Sequence, residues 1–157
     1  MLRVAIPNKG ILSDSAISMI KEAGYATRRE PSELHLVDEA NNVEFFYLRP
    51  RDIATYVGSG SLDVGITGLD LLLDSGSKAE EVADLGFGAS TFRFAAEPGS
   101  GFKEPKDLNG KRLATAYPRL ISDYLAKSGI ECQVVSLDGA VESAVRLGVA
   151  DAVADVV

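Results

Sequence analysis

Five short stretches place charged, hydroxyl or aromatic side chains where an apolar run gives way to a turn. Pro7-Asn8-Lys9-Gly10 follows the run Leu2–Ile6, so Lys9 falls at a strand's carboxyl end. In α/β sheets ligands sit just beyond such ends, where a lysine can meet a phosphate and Gly10 allows close backbone approach. Arg49-Pro50-Arg51-Asp52 follows a second strand and opens a helix. Two fork-shaped donors there join the free N–H groups and positive dipole end of a helix start, which makes a credible anion site. In Asp63-Val-Gly65-Ile-Thr67-Gly68-Leu-Asp70, Thr67 and Asp70 can hydrogen-bond hydroxyls or a base. In Leu113-Ala-Thr115-Ala-Tyr117-Pro118-Arg119, Tyr117 can stack on an aromatic ring and Arg119 can meet phosphate. Asp155 is an acid in an otherwise apolar strand, costly unless it is paired or at the strand's end. Four of the stretches have an ordinary structural alternative. Lys9 fits a surface turn, Asp52 complements a helix dipole, Asp70 fits a capped turn, and Tyr117 fits the core.

These residues need strands and helices to carry them. Strands are expected at Leu2–Ile6, Leu34–Val37, Val43–Leu48, Asp63–Thr67, Val82–Phe87, Phe92–Ala96, Arg112–Ala116, Cys132–Ser136 and Ala150–Val157. Between them lie helical patterns. Ser13 reads as an N-cap with Gly24 as the stop, Pro50 as a first helical residue, and Gly129 and Gly148 as stops for two later helices. This alternation predicts an α/β fold with parallel sheets covered by helices. Asp38-Glu-Ala-Asn-Asn42 is a polar turn cluster and predicts an antiparallel hairpin across residues 34–48. Glu97-Pro-Gly-Ser-Gly-Phe-Lys-Glu-Pro105 is the clearest break. The chain reads as two α/β lobes, residues 1–90 and 91–157, with a ligand expected in the cleft between them.

Composition narrows the function. The chain has 157 residues, 46% hydrophobic and 25% charged, which suits a globular fold. Its net charge of −7 disfavours nonspecific binding to nucleic acid or an anionic membrane. The N-terminal apolar run is too short for a signal peptide and no stretch approaches the ~18 apolar residues of a membrane span, so a cytoplasmic protein is expected. One histidine, His35, and one cysteine, Cys132, argue against a zinc site or a histidine-based triad. Cys132 reads as a buried structural thiol, and the charges of residues 103–111 as a solvated face.

Four blocks in order resemble the ATP phosphoribosyltransferase family of histidine biosynthesis. They are Val4–Leu12; Leu48–Val57 with Asp63–Asp70; Ala114–Leu120; and Glu142 onward. The family's signature fits Glu142, Gly148, Ala150, Val153, Asp155 and Val156 in sequence, and would continue as Ser/Thr-Gly-x-Thr after the final Val157. Asn41-Asn-Val-Glu-Phe-Phe46 and Leu137-Asp-Gly-Ala-Val-Glu142 resemble its long-form actinobacterial branch. The resemblance implies a fold similar to type II periplasmic-binding proteins. It implies transfer of 5-phosphoribosyl from phosphoribosyl pyrophosphate to N1 of the adenine of ATP, with magnesium on the pyrophosphate and no metal ligands from the protein. By family position, Asp155 and Arg49 would be catalytic. Asp70, Leu71, Thr115 and Tyr117 would bind the nucleotide, and Lys9, Arg49 and Arg51 would bind phosphate. The complete protein would be a dimer or hexamer, inhibited by histidine where a C-terminal regulatory domain is present. That domain, the phosphate loop and the segment returning to the first lobe are expected to be absent here. A non-catalytic two-lobed nucleotide- or anion-binding module is the alternative.

Overall fold

The computed structural model describes Met1–Val157, and the chain divides into two units, Met1–Ala89 and Ser90–Val157. The first contains β1 (Leu2–Pro7), α1 (Ile11–Glu22), β2 (His35–Asp38), β3 (Val43–Leu48), α2 (Pro50–Gly58), β4 (Val64–Gly65) and α3 (Leu69–Ser75). Its sheet runs β2-β3-β1-β4. Strand β1 is parallel to both β3 and β4, and β2 joins the edge antiparallel to β3. Both sheet faces are covered, which is why β1 reads as a continuous apolar run. Val4 and Ile6 face one cluster with Ala16 of α1, while Ala5 faces another with Ile53 of α2. The approach of α2 depends on Gly65, since a Cβ there would lie 2.4 Å from Ile53 Cγ2.

The second unit contains β5 (Phe92–Ala95), a 3-10 turn (Pro105–Leu108), β6 (Arg112–Thr115), α4 (Pro118–Lys127), β7 (Gln133–Ser136), α5 (Ser143–Arg146) and β8 (Ala152–Val156). The sheet order is β5-β8-β6-β7. Strand β6 is parallel to β7 and β8, and β5 lies antiparallel to β8. Leu113 packs with Ile121 and Leu125 of α4 on one face, and Ala114 with Val141 and Ala144 on the other. At the amino end of β6, Arg112 pins the start of β8. Its backbone N–H and Nη2 donate to Asp151 at 2.8 and 3.1 Å, and its Nη1 donates to Gly148 O at 2.9 Å.

Several sequence expectations are corrected. The first helix starts at Ile11, not after a Ser13 cap. Gly10, at φ 83°, makes the bend, and Ser13 is a buried residue of the first turn. Val82–Phe87 forms no strand: no ladder reaches it, Val82 is 89% exposed, and its local order is a turn in which Gly86 N–H donates to Asp84. The strand expected over Asp63–Thr67 shrinks to Val64–Gly65, although Asp63 and Ile66 each donate to β1 carbonyls. The charged stretch 103–111 is not merely a solvated face. It holds a turn closed by reciprocal Glu104 and Asp107 bonds, with Leu108 buried beneath. The expected hairpin is present one residue along, with Asn42 at φ 56° in its turn. No helix is long and apolar enough to cross a membrane.

Candidate functional site

In the first unit the candidate residues gather at one sheet edge because β1 and β3 run parallel in register. Pro7 pairs with Leu48, so the turns carrying Lys9 and Arg49 leave the sheet side by side. Lys9 is exposed on the turn between β1 and α1. The backbone N–H groups of Lys9, Gly10, Ile11 and Leu12 have no acceptor within the chain, and α1 has no side-chain cap. Unpaired donors at a helix start favour an anion. Arg49 is exposed and caps α2, with Pro50 at the first helical position.

Arg51 is more constrained than its spacing suggested. Its Nη1 donates at 2.9 Å to the buried carboxylate of Asp74, tying α2 to α3. Thr67 is also used internally, donating to Pro50 O at 2.7 Å and joining the β4 exit to the α2 start. Asp70 stands in the first turn of α3 with Leu71 beside it, both partly buried. Its carboxylate folds back over Gly68, where a Cβ would lie 2.2 Å from Oδ1. His35 is outside this group, in the hairpin, with Nε2 2.6 Å from Glu44 Oε1.

The carboxyl edge of the second unit is different in character. Thr115 pairs with Ala154, so the end of β6 lies beside Asp155 of β8. Thr115 is fully buried and its Oγ1 accepts the Tyr117 N–H at 3.0 Å, which shapes the turn into α4. Tyr117 is 8% exposed and packs edge-on against Phe92 at 5.2 Å. The core reading of that ring is therefore the observed one. Asp155 is half-buried and its Oδ1 accepts the Val156 N–H at 2.8 Å. Arg119 is exposed on the first turn of α4. Cys132 precedes β7, partly buried. Its thiol donates to Lys111 O at 3.1 Å, and burial pushes its pKa up.

Two basic residues escaped the sequence reading. Arg93 of β5 stands opposite Asp155 in the antiparallel ladder, a pairing that only the register reveals. Arg28 lies in the stretch between α1 and β2, yet its Nη2 donates to Asn8 O at 2.7 Å, next to Lys9. No spacing rule links residues so far apart, and Arg28 sits in no periodic pattern.

No group of three or more His, Cys, Asp or Glu side chains is placed to hold a metal ion. The first edge carries exposed Lys9 and Arg49 beside unpaired N–H donors, and the second carries Asp155 together with exposed Arg119.

The family model for ATP phosphoribosyltransferase (HisG) matches residues 49–157. This chain belongs to the ATP phosphoribosyltransferase family. A relative bearing that name from Salinispora tropica is 62% identical over 157 residues, which are 100% of this chain and 56% of the relative. Another from Pseudarthrobacter chlorophenolicus is 64% identical over the same length, 55% of that relative. The chain thus spans about half the length of the curated relatives it matches. Among solved structures, the ATP phosphoribosyl transferase (HisG:HisZ) complex from Thermotoga maritima matches with a TM-score of 0.82 and 30% identity, covering 100% of this chain and 74% of that one. The fold described above is therefore that of an ATP phosphoribosyltransferase family member, over the part of the family that this chain represents.

Proposed function

We propose that this chain carries the substrate-binding edges of an ATP phosphoribosyltransferase, which joins N1 of the adenine of ATP to C1 of phosphoribosyl pyrophosphate. In that reaction the N1 lone pair forms the new bond as the C1–O bond breaks and its electrons leave with pyrophosphate. Family membership across the whole chain carries the reading, and the contrast between the two sheet edges supports it. No covalent nucleophile is required of the protein. It has to hold two anionic substrates and stabilise positive charge developing on the ribosyl carbon.

In this assignment Lys9, Arg49 and the unpaired N–H groups at the start of α1 receive phosphate oxygens. Arg51 adds charge while its bond to Asp74 fixes the start of α2. Asp70 and Leu71 meet the nucleotide. Asp155 accepts ribose hydroxyls and its negative charge favours the cation-like centre. Thr115 and Tyr117 act by shaping the turn that carries the nucleotide side of the second edge, since the hydroxyl of Thr115 is buried and already bonded. Magnesium, when bound, neutralises the departing pyrophosphate. In this reading the ion would be carried on the substrate's phosphate oxygens. A soluble, cytoplasmic homo-oligomer is the setting we assign, with histidine inhibition confined to forms that carry a regulatory domain.

The test is incubation of the 157-residue chain, and of the same chain extended to its relatives' length, with ATP, phosphoribosyl pyrophosphate and magnesium. Formation of phosphoribosyl-ATP with equimolar pyrophosphate is expected from the extended form. Binding of either substrate by the short chain is expected at the least. Absence of product from the extended form would overturn the assignment, and substrate binding without product would favour the non-catalytic module.

A further inference from the structure

The turn that presents Lys9 is held from outside its own sequence. Arg28 grips it with one guanidinium nitrogen and is itself anchored elsewhere. Its Nη2 donates to Asn8 O at 2.7 Å and lies 3.5 Å from Ser13 Oγ in the first turn of α1. Its Nη1 donates to Pro31 O at 3.0 Å, bracing the guanidinium from the far side. Its own backbone N–H donates to the Tyr47 hydroxyl at 3.0 Å, and its Cζ sits 4.5 Å from the centre of the Tyr47 ring. Tyr47 is 1% exposed in β3, so this anchor is part of the core.

The geometry of a peptide group gives that grip a consequence. The Asn8 carbonyl and the Lys9 N–H belong to one planar unit and point in opposite directions. Holding the oxygen therefore aims the Lys9 N–H, the first of the donors through Leu12 that have no acceptor in the chain. The turn also contains a buried acceptor without a partner, Asn8 Oδ1. Such a group costs free energy that a rearranged, hydrated turn would relieve. Besides the backbone bonds of Asn8 N–H to Leu48 O and Ser13 N–H to Gly10 O, Arg28 is the side-chain restraint on this turn.

We propose that Arg28 is a positioning residue for the phosphate-binding turn Asn8–Leu12: through the Asn8 carbonyl it fixes the direction of the Lys9 N–H and the placement of the Lys9 side chain. The inference rests on the phosphate role given to Lys9 above. Lysine cannot replace Arg28, because a single ammonium lacks the two separated donors that reach Asn8 O and Pro31 O with the charge over the Tyr47 ring.

The experiment uses the 157-residue chain with phosphoribosyl pyrophosphate and magnesium as the probe. Four variants are compared with the parent: Arg28→Lys, Tyr47→Phe, Lys9→Ala and the Arg28→Lys/Lys9→Ala pair. Thermal midpoints report folding, backbone amide NMR shifts and relaxation report the turn, and calorimetry reports affinity. Arg28→Lys is expected to shift and broaden the amides of Lys9–Leu12 and to weaken binding about tenfold or more. Tyr47→Phe, which keeps the ring and removes one acceptor, should do the same more weakly with the fold retained. In the double variant the two losses should not add, because Arg28 acts through the turn. Unchanged turn amides in Arg28→Lys, or losses that add fully, would overturn the positioning role. A perturbed turn together with unchanged affinity in Lys9→Ala would instead overturn the phosphate role of Lys9, so the two failures are distinguishable.

Discussion

The two units share one sheet plan and set different side chains at its carboxyl edge. Each has a central strand flanked by two parallel neighbours, β1 in the first and β6 in the second, and each carries one antiparallel edge strand. At the carboxyl edge of the first, Lys9 and Arg49 are exposed cations beside unpaired N–H groups. At the equivalent edge of the second, Thr115 and Tyr117 are buried and Asp155 is the acid at the strand end. The same backbone frame thus carries different side chains at its carboxyl edge in each unit, exposed Lys9 and Arg49 in one and Asp155 with exposed Arg119 in the other. The lesson is that strand topology decides which turns lie side by side, and the few residues after each strand decide which side chains those turns carry.

The comparison breaks first if the units are not separately organised. Ile53→Ala and Leu113→Ala remove nearly fully buried side chains from the first and second unit respectively. Each should cost about 2–5 kcal/mol, measured by urea unfolding with one probe in each unit. If each substitution shifts only its own unit's transition, the units are independent. If both shift a single transition equally, the division is architectural and not energetic.

Exchanging the character of the edges is the next test. Arg49→Ala should weaken pyrophosphate binding by roughly 10- to 100-fold, the scale of lost charge-assisted hydrogen bonds, and Asp155→Asn should leave that affinity nearly unchanged. Wherever turnover is measurable, Asp155→Asn should instead lower kcat by about two orders of magnitude. Equal effects of both substitutions on pyrophosphate affinity would erase the distinction between the edges.

A smaller effect separates the units by pH. Hydrogen bonds from Arg112 hold the Asp151 carboxyl below the usual carboxylate range. A depressed folded-state pKa means that this stabilisation is present above the unfolded carboxylate's pKa of about 3.9 and is lost as pH falls through the folded value. Asp151→Asn should therefore flatten the acid limb of the second unit's stability curve. Asp38 is lowered too, chiefly by the Ala26 N–H, so the first unit should keep its own acid limb in that variant. The smallest effect concerns Cys132. Burial raises its thiol pKa, so alkylation at neutral pH should be slower than for a small free thiol, with rates rising only at higher pH.

Legibility followed sequence distance. The hairpin β2-β3 was readable because its strands are joined by a short polar turn, and Pro50 and Pro118 mark helix starts by their fixed φ. The pairing of β5 with β8 was not readable, since residues 92–95 meet 153–156 only through the fold. Val82–Phe87 shows the opposite error, a short apolar run without a neighbouring strand to complete it. Candidate residues at strand ends were found because the βα turn has a local signature. Their freedom to act was not, as the commitments of Arg51 to Asp74 and of Thr115 to the Tyr117 amide show.

By itself, the sequence determined the α/β class, the strand ends that hold the candidate residues and, through four ordered motifs, the family. Those features are local: apolar periodicity, helix-start residues and the types of side chain in each turn. Tertiary structure alone decided which of those side chains remain available, which strands lie side by side, and that Arg28 reaches back to hold the Lys9 turn. Hydrogen bonds and strand register across long separations depend on where the chain returns in space, and no spacing within the chain encodes that directly.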